Sequence, residues 1–106
     1  MTFLCIRQLN VNGLTQYRRE MEHILHYHKL DVLLLSETHC TDKSYFRINR
    51  FEFYDTRHPS GNARGGSAII VKRSLDHHEL PNYQTEEIQA TSIEVKLKHF
   101  SLQVTA

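Results

Sequence analysis

The sequence predicts an α+β fold, a mixed sheet with one main helix, and three features carry that expectation. DVLLLSE (31–37) is a short unbroken apolar run of the kind that forms a central strand covered on both faces. FEFYDT (51–56) and TSIEVKLK (91–98) alternate apolar and polar residues, as half-buried strands do. Between Thr15 and His28 the amphipathic positions Tyr17, Met21, Ile24, Leu25 and His28 recur at three- and four-residue spacing, which is helical.

Taken in order, TFLCIRQL is rich in strand formers and closes at Asn10–Gly13, so it reads as a buried strand entering a loop. Thr15 is the expected N-cap of the helix, and DVLLLSE follows it, giving the order β, α, β. Thr38 to Asn49 lacks periodicity and reads as a loop. FEFYDT is a strand, HPSGNARGG gathers turn residues, and SAIIVK is a further apolar strand. The tail reads as a hairpin turning near Lys98 and His99, with Ile93, Val95 and Leu97 on one face of its first strand and Phe100, Leu102 and Val104 on one face of its second. One helix among about six strands leaves sheet surface uncovered, since a sheet needs a second layer. The expectation is half of a two-layer sandwich whose second sheet and further helices lie in a longer chain.

Composition bounds the function. A chain of 106 residues, 40% apolar, buries one modest core and excludes two domains. The net charge is only +1, from 13 basic and 12 acidic side chains, so no bulk excess announces a nucleic-acid partner and any such partner rests on local sites. Cys5 and Cys40 make neither a CxxC pair nor a secreted disulfide framework, which suits an intracellular setting. No signal peptide is visible, and no run approaches the roughly 18 apolar residues of a membrane span, so no membrane partner is expected.

Two segments place polar groups where predicted strands end: Asn10-Val11-Asn12-Gly13-Leu14 and Ser36-Glu37-Thr38-His39. If the two strands are neighbours, Asn10, Asn12 and Glu37 converge at one edge as oxygen ligands or positioning groups for a hard cation such as Mg²⁺. The plainer reading stands beside it: Asn before Gly is an ordinary turn, and Glu after a strand is ordinarily solvated.

The ordered set LNVNGL, DVLLLSETH, ARGGSAIIVK and IQATSIEV resembles the opening of the endonuclease domain of jockey-type non-LTR retrotransposons, within the endonuclease/exonuclease/phosphatase superfamily. The resemblance covers nearly the whole chain and implies the N-terminal half of a four-layer α/β/β/α sandwich, with residues 1–106 a partial domain. It implies that Asn10 matches an active-site asparagine and Glu37 the glutamate that binds catalytic Mg²⁺ or Mn²⁺. It places Asn12 near the metal as a polar positioning group. His39 and Thr38 complete the ETH signature, with His39 a candidate contact to DNA phosphate. The tyrosine, the GDxN-type segment and the closing SDH that the resemblance implies are not found among these residues, and the mid-chain LDHH is not equated with SDH. The implied activity is therefore nicking of one DNA strand by a longer relative, inside the nucleus and alongside the rest of a retrotransposon polyprotein, with no significant turnover by this chain alone.

Arg57, His58, Arg64, Lys72 and Arg73 cluster around SAIIVK as candidate phosphate contacts or as a solvated charged rim. Arg64 is the best of them, because Gly65 and Gly66 permit close backbone approach. His23, His26 and His28 lack HExxH spacing and a Cys pair, so they are read as surface or boundary residues rather than zinc ligands. A non-DNA phosphoesterase of the same superfamily and a non-catalytic retroelement remnant are the alternative functions.

Overall fold

A computed structural model describes residues 4–106. Thr2 and Phe3, expected at the start of the first strand, lie outside the described residues. The strands are β1 (Ile6–Asn10), β2 (Val32–Ser36), β3 (Phe51–Thr56), β4 (Ser67–Lys72), β5 (His77–Glu79), β6 (Tyr83–Gln84), β7 (Gln89–Ala90), β8 (Ser92–Lys96) and β9 (Ser101–Thr105), and the helix is α1 (Arg18–Tyr27).

The first sheet has the order β1-β2-β4-β3. β1 and β2 are parallel, as a helical crossover dictates, and β4 runs antiparallel to both β2 and β3. The sheet is mixed, as expected. Alternation along its strands divides the core in two. Leu33, Leu35, Ala68, Ile70 and Phe51 face α1 and the 38–50 loop, where Met21, Leu25, Phe46 and Ile48 cover them. Val32, Ile69 and Val71 face the other way, onto Ile93, Val95 and Val104 of a second sheet of order β5-β8-β9. β2 and β4 are therefore covered on both faces, which is why their sequences are unbroken apolar runs.

Three layers stack within these residues: helix, sheet, sheet. That corrects the expectation that the second sheet lies in a longer chain. TSIEVK and SLQVT do not extend the first sheet; they pair with each other, TSIEVK pairs on its other side with β5, and Ile93 and Val95 are buried completely between the layers.

Smaller differences have local causes. Thr15 is not the helix cap: it opens a 3-10 turn, Thr15–Tyr17, and Tyr17 caps α1 without a side-chain bond. The buried Leu14 accepts the Tyr17 N–H and tightens the chain there. His28, expected at a boundary, is exposed. β5, β6 and β7 are two or three polar residues each, defined by partners rather than by periodicity. On β9 only Val104 is buried; Phe100 and Leu102 lie on the expected face but at the sheet edge, 62% and 37% exposed. No helix of the described residues is long and apolar enough to cross a membrane.

Candidate functional site

Because β1 and β2 are parallel with Asn10 beside Ser36, the segments leaving both strands emerge together. They continue to pair beyond the sheet: Val11 N–H donates to Ser36 O at 3.1 Å, Gly13 N–H to Glu37 O at 2.9 Å, and Leu14 N–H to Thr38 O at 2.8 Å. A third segment joins from the turn before β4, where Gly66 O accepts from Thr38 N–H at 3.3 Å and Gly65 O from His39 N–H at 2.9 Å. NVNGL, SETH and ARGG thus form one backbone-bonded edge. The segments that carry Asn10, Asn12 and Glu37 therefore meet at one edge, as the β, α, β order implies.

The backbone at this edge is strained. Asn12, Glu37 and His39 all have positive φ, at 44°, 53° and 57°, in the left-handed region that non-glycine residues rarely adopt. Each such residue costs on the order of 1 kcal/mol or more, and such strain persists only where surrounding bonds over-determine it. Here the interstrand bonds to Glu37 O, Thr38 O and the two amides that follow do so.

The side chains divide by what they are bonded to. Asn10 Oδ1 accepts the Asn12 N–H at 3.2 Å, a local turn that fixes the asparagine side chain and leaves its oxygen a second lone pair. Glu37 is exposed and makes no side-chain hydrogen bond or ion pair among the described residues. The His39 ring is half-buried beside Gly13; a Cβ on Gly13 would lie 3.6 Å from its Nδ1. Thr38 is buried, and its Oγ1 lacks a hydrogen-bond partner among the described residues. Below it, burial pushes the Cys40 thiol up; the nearby Thr38 hydroxyl opposes that shift without reaching hydrogen-bonding geometry with the sulfur.

Among the basic candidates the structure discriminates sharply. Arg57 pairs with Asp55 at 3.0 Å, Arg73 with Glu52 at 3.0 Å, and Lys72 approaches Asp31 at 3.8 Å. His58 is buried, its ring bonded to Ser60 Oγ and Glu86 O. These four belong to the framework. Arg64, exposed on the turn that carries Gly65 and Gly66, forms no ion pair among the described residues. Tyr45 is 78% exposed, whereas Phe46 is buried against Phe53.

Reading the sequence missed a set of residues behind the edge. Thr91 Oγ1 donates to Thr56 Oγ1 at 2.8 Å and lies 2.9 Å from Ser67 Oγ, while Thr56 Oγ1 donates to Ala90 O. This buried hydroxyl cluster fastens the two sheets together directly beneath the three loops. Its signal is the polar pair Thr91-Ser92 at the mouth of an apolar strand, in a segment already singled out as IQATSIEV.

As a metal-binding set the edge offers hard oxygen donors, one carboxylate and two amides, which suit a hard cation. It is a partial set: no group of three His, Cys, Asp or Glu side chains that could hold a metal exists among the described residues. An open cavity of about 310 Å³, lined by Leu4, Leu75, Leu97 and Phe100 among others, lies at the opposite end of the sandwich and contains none of these groups.

Residues 8–102 match the Endonuclease/Exonuclease/phosphatase family. The chain belongs to that family. It is 41% identical over 81 residues to a probable RNA-directed DNA polymerase from the transposon X-element of Drosophila melanogaster, a match covering 76% of this chain and 9% of that protein. It is 34% identical over 97 residues to the RNA-directed DNA polymerase from the mobile element jockey of the same species, covering 92% of this chain and 11% of that protein. The chain thus spans about a tenth of the length of these relatives. Among solved structures, the AP endonuclease LMAP from Leishmania major superposes with a TM-score of 0.72 at 17% identity, over 93% of this chain and 38% of that one. The Xenopus laevis APE2 catalytic domain gives 0.54 at 22% identity, over 70% and 26%. These likenesses show the endonuclease/exonuclease/phosphatase fold. The helix, sheet, sheet stack corresponds to the N-terminal half of the α/β/β/α sandwich, and the jockey-type resemblance of the four motifs stands.

Proposed function

We propose that this chain carries the N-terminal part of a divalent-metal-dependent DNA endonuclease site, with Glu37 the ligand for Mg²⁺ or Mn²⁺ and Asn10 beside it. The observation that carries this reading is the state of Glu37: a carboxylate held out from the end of β2 on a strained backbone, with no partner among the described residues. A left-handed backbone fixed by three segments, and a carboxylate without a protein partner at their meeting point, suit a ligand-holding role.

The donors fit a hard cation, which when bound supplies charge stabilisation at a phosphoryl oxygen and a more acidic water. The residues have distinct duties. Glu37 supplies the negative charge. Asn10, fixed by its bond from Asn12 N–H, presents its side chain toward the same edge, and Asn12 shapes the turn between them. Arg64 and His39 flank the edge as contacts for DNA phosphate oxygens.

These residues supply part of what phosphodiester hydrolysis requires. A group that takes or orients the water's proton, and one that steadies the leaving oxygen, are further requirements. We assign them to the GDxN- and SDH-type segments of the remainder of a retrotransposon polyprotein, so residues 1–106 form a partial domain without significant turnover of its own. The substrate is nuclear DNA at an insertion site.

The test is nicking of supercoiled plasmid by this chain completed with the carboxy-terminal half of a jockey-type relative. Mg²⁺-dependent nicking that falls at least about a hundredfold in Glu37→Gln supports the assignment. Undiminished nicking by that variant removes Glu37 from the site.

A further inference from the structure

The left-handed conformation of Glu37 is fixed from two sides. On one, the chain before it is held by β2 pairing and by Val11 and Gly13, whose amides donate to Ser36 O and Glu37 O. On the other, Thr38 and His39 donate their amides to Gly66 O and Gly65 O. Glu37 is therefore only as well placed as the Gly65-Gly66 turn.

That turn is in its own right held by one side chain. Gln89, half-buried on β7, accepts the Gly66 N–H on Oε1 at 2.9 Å, while its Nε2 donates to Thr85 O at 2.7 Å and Glu86 O at 3.2 Å. The amide orientation follows from its partners, since flipping it would set donor against donor and oxygen against oxygen. The fit leaves no slack. A Cβ on Gly65 would come within 2.5 Å of Gln89 Oε1, and one on Gly66 within 2.6 Å of Thr38 Oγ1. Both glycines have positive φ, so a side chain is disfavoured on backbone grounds as well.

We infer that Gln89 is a positioning residue for the Glu37 site, acting through the Gly65-Gly66 turn to hold Thr38 and His39, and with them the backbone of Glu37, in the ligand-presenting conformation. The inference rests on Glu37 being the site carboxylate, as proposed above. It also explains why Gln89 belongs with ARGG and SETH although 23 residues separate it from Gly66. A glutamine side chain is required because the joint needs an acceptor and a donor on one rigid plane.

The test uses this 106-residue chain without metal or DNA, reading amide hydrogen exchange and the Glu37 backbone coupling by NMR. Gln89→Met keeps the volume and removes both polar groups. The expected result is exchange about tenfold faster at Gly66, Thr38 and His39, with the β8–β9 ladder unchanged and the Glu37 coupling departing from its left-handed value. Gln89→Glu sets a carboxylate oxygen where the amide donates to Thr85 O and Glu86 O, so it should also speed Gly66 exchange while leaving the β8–β9 ladder unchanged. Unchanged exchange in Gln89→Met, or equal loosening of the β8–β9 ladder, overturns the inference. If Gln89→Met does not fold, Gln89→Glu decides: faster Gly66 exchange beside an unchanged β8–β9 ladder supports the joint, and retained Gly66 protection overturns it. Because no catalysis is read, failure here leaves the Glu37→Gln nicking result intact, and the reverse holds equally.

Discussion

Two carboxylates bracket β2, and the protein treats them in opposite ways. Asp31, just before the strand, is half-buried; its Oδ2 accepts the Cys5 N–H at 2.8 Å and its Oδ1 lies 3.8 Å from Lys72 Nζ. Its backbone joins in, accepting the Lys72 N–H and donating to Cys5 O. Glu37, just after the strand, is exposed, left-handed at φ 53° and unbonded through its side chain among the described residues. The same residue class at the two ends of one strand is committed to the fold in one case and kept free at a cost in the other. The lesson is that a carboxylate's role is read from its bonds and its backbone, not from its type or its place at a strand end.

The contrast can be tested by removing each side. Asp31→Ala strands the Cys5 amide and should lower unfolding free energy by about 2 kcal/mol, measured by urea denaturation with an unchanged slope. Glu37→Gly should do the reverse, raising stability by about 1 kcal/mol in the same assay, because glycine accepts the left-handed backbone that glutamate adopts under strain. If Glu37→Gly destabilises instead, the carboxylate has a structural partner and the contrast with Asp31 collapses.

Thr38→Val sharpens the picture on a smaller scale. Its hydroxyl is buried without a partner, so replacing it by a methyl group should leave stability unchanged or raise it by about 1 kcal/mol. The same change removes a group that favours the Cys40 thiolate, so alkylation of Cys40 at a fixed alkaline pH should slow further.

Smallest is the pH effect of Cys40 itself. Burial raises its pKa in the folded chain, so the contribution is fully present below the ordinary thiol pKa, where both states are protonated. As pH rises through that range the unfolded chain loses the proton first, and stability should fall until the folded pKa is passed. Cys40→Ser should flatten that alkaline decline; an equal decline in the variant would remove Cys40 as its source.

The framework was legible in the sequence because its pattern is local. DVLLLSE, FEFYDT and SAIIVK announced β2, β3 and β4 through period and composition, and Lys98-His99 announced the hairpin. β5, β6 and β7 were not, since two or three polar residues carry no period and exist as strands only through pairing. The assignment of TSIEVK to a separate layer depended on which partner it found, which alternation alone does not encode. At the site, Asn10 and Glu37 were legible as polar groups at strand ends. The strain at Glu37 and the role of Gln89 were not, because both arise from hydrogen bonds between segments far apart in the chain. The basic rim also required geometry: Arg57, Lys72 and Arg73 lie beside carboxylates, and Arg64 has no ion pair among the described residues.

The central claim is that the Glu37 edge, and not the Asp31 end, is where this chain meets a divalent cation. The most direct measurement is titration of the 106-residue chain with Mn²⁺, followed by paramagnetic broadening of its amide resonances beside a Glu37→Gln variant. The account predicts broadening centred on Asn10, Asn12, Glu37 and Gly66, lost in the variant and displaced by excess Mg²⁺. Broadening centred on Asp31 and Lys72, or a pattern at the Glu37 edge that survives Glu37→Gln, would contradict it.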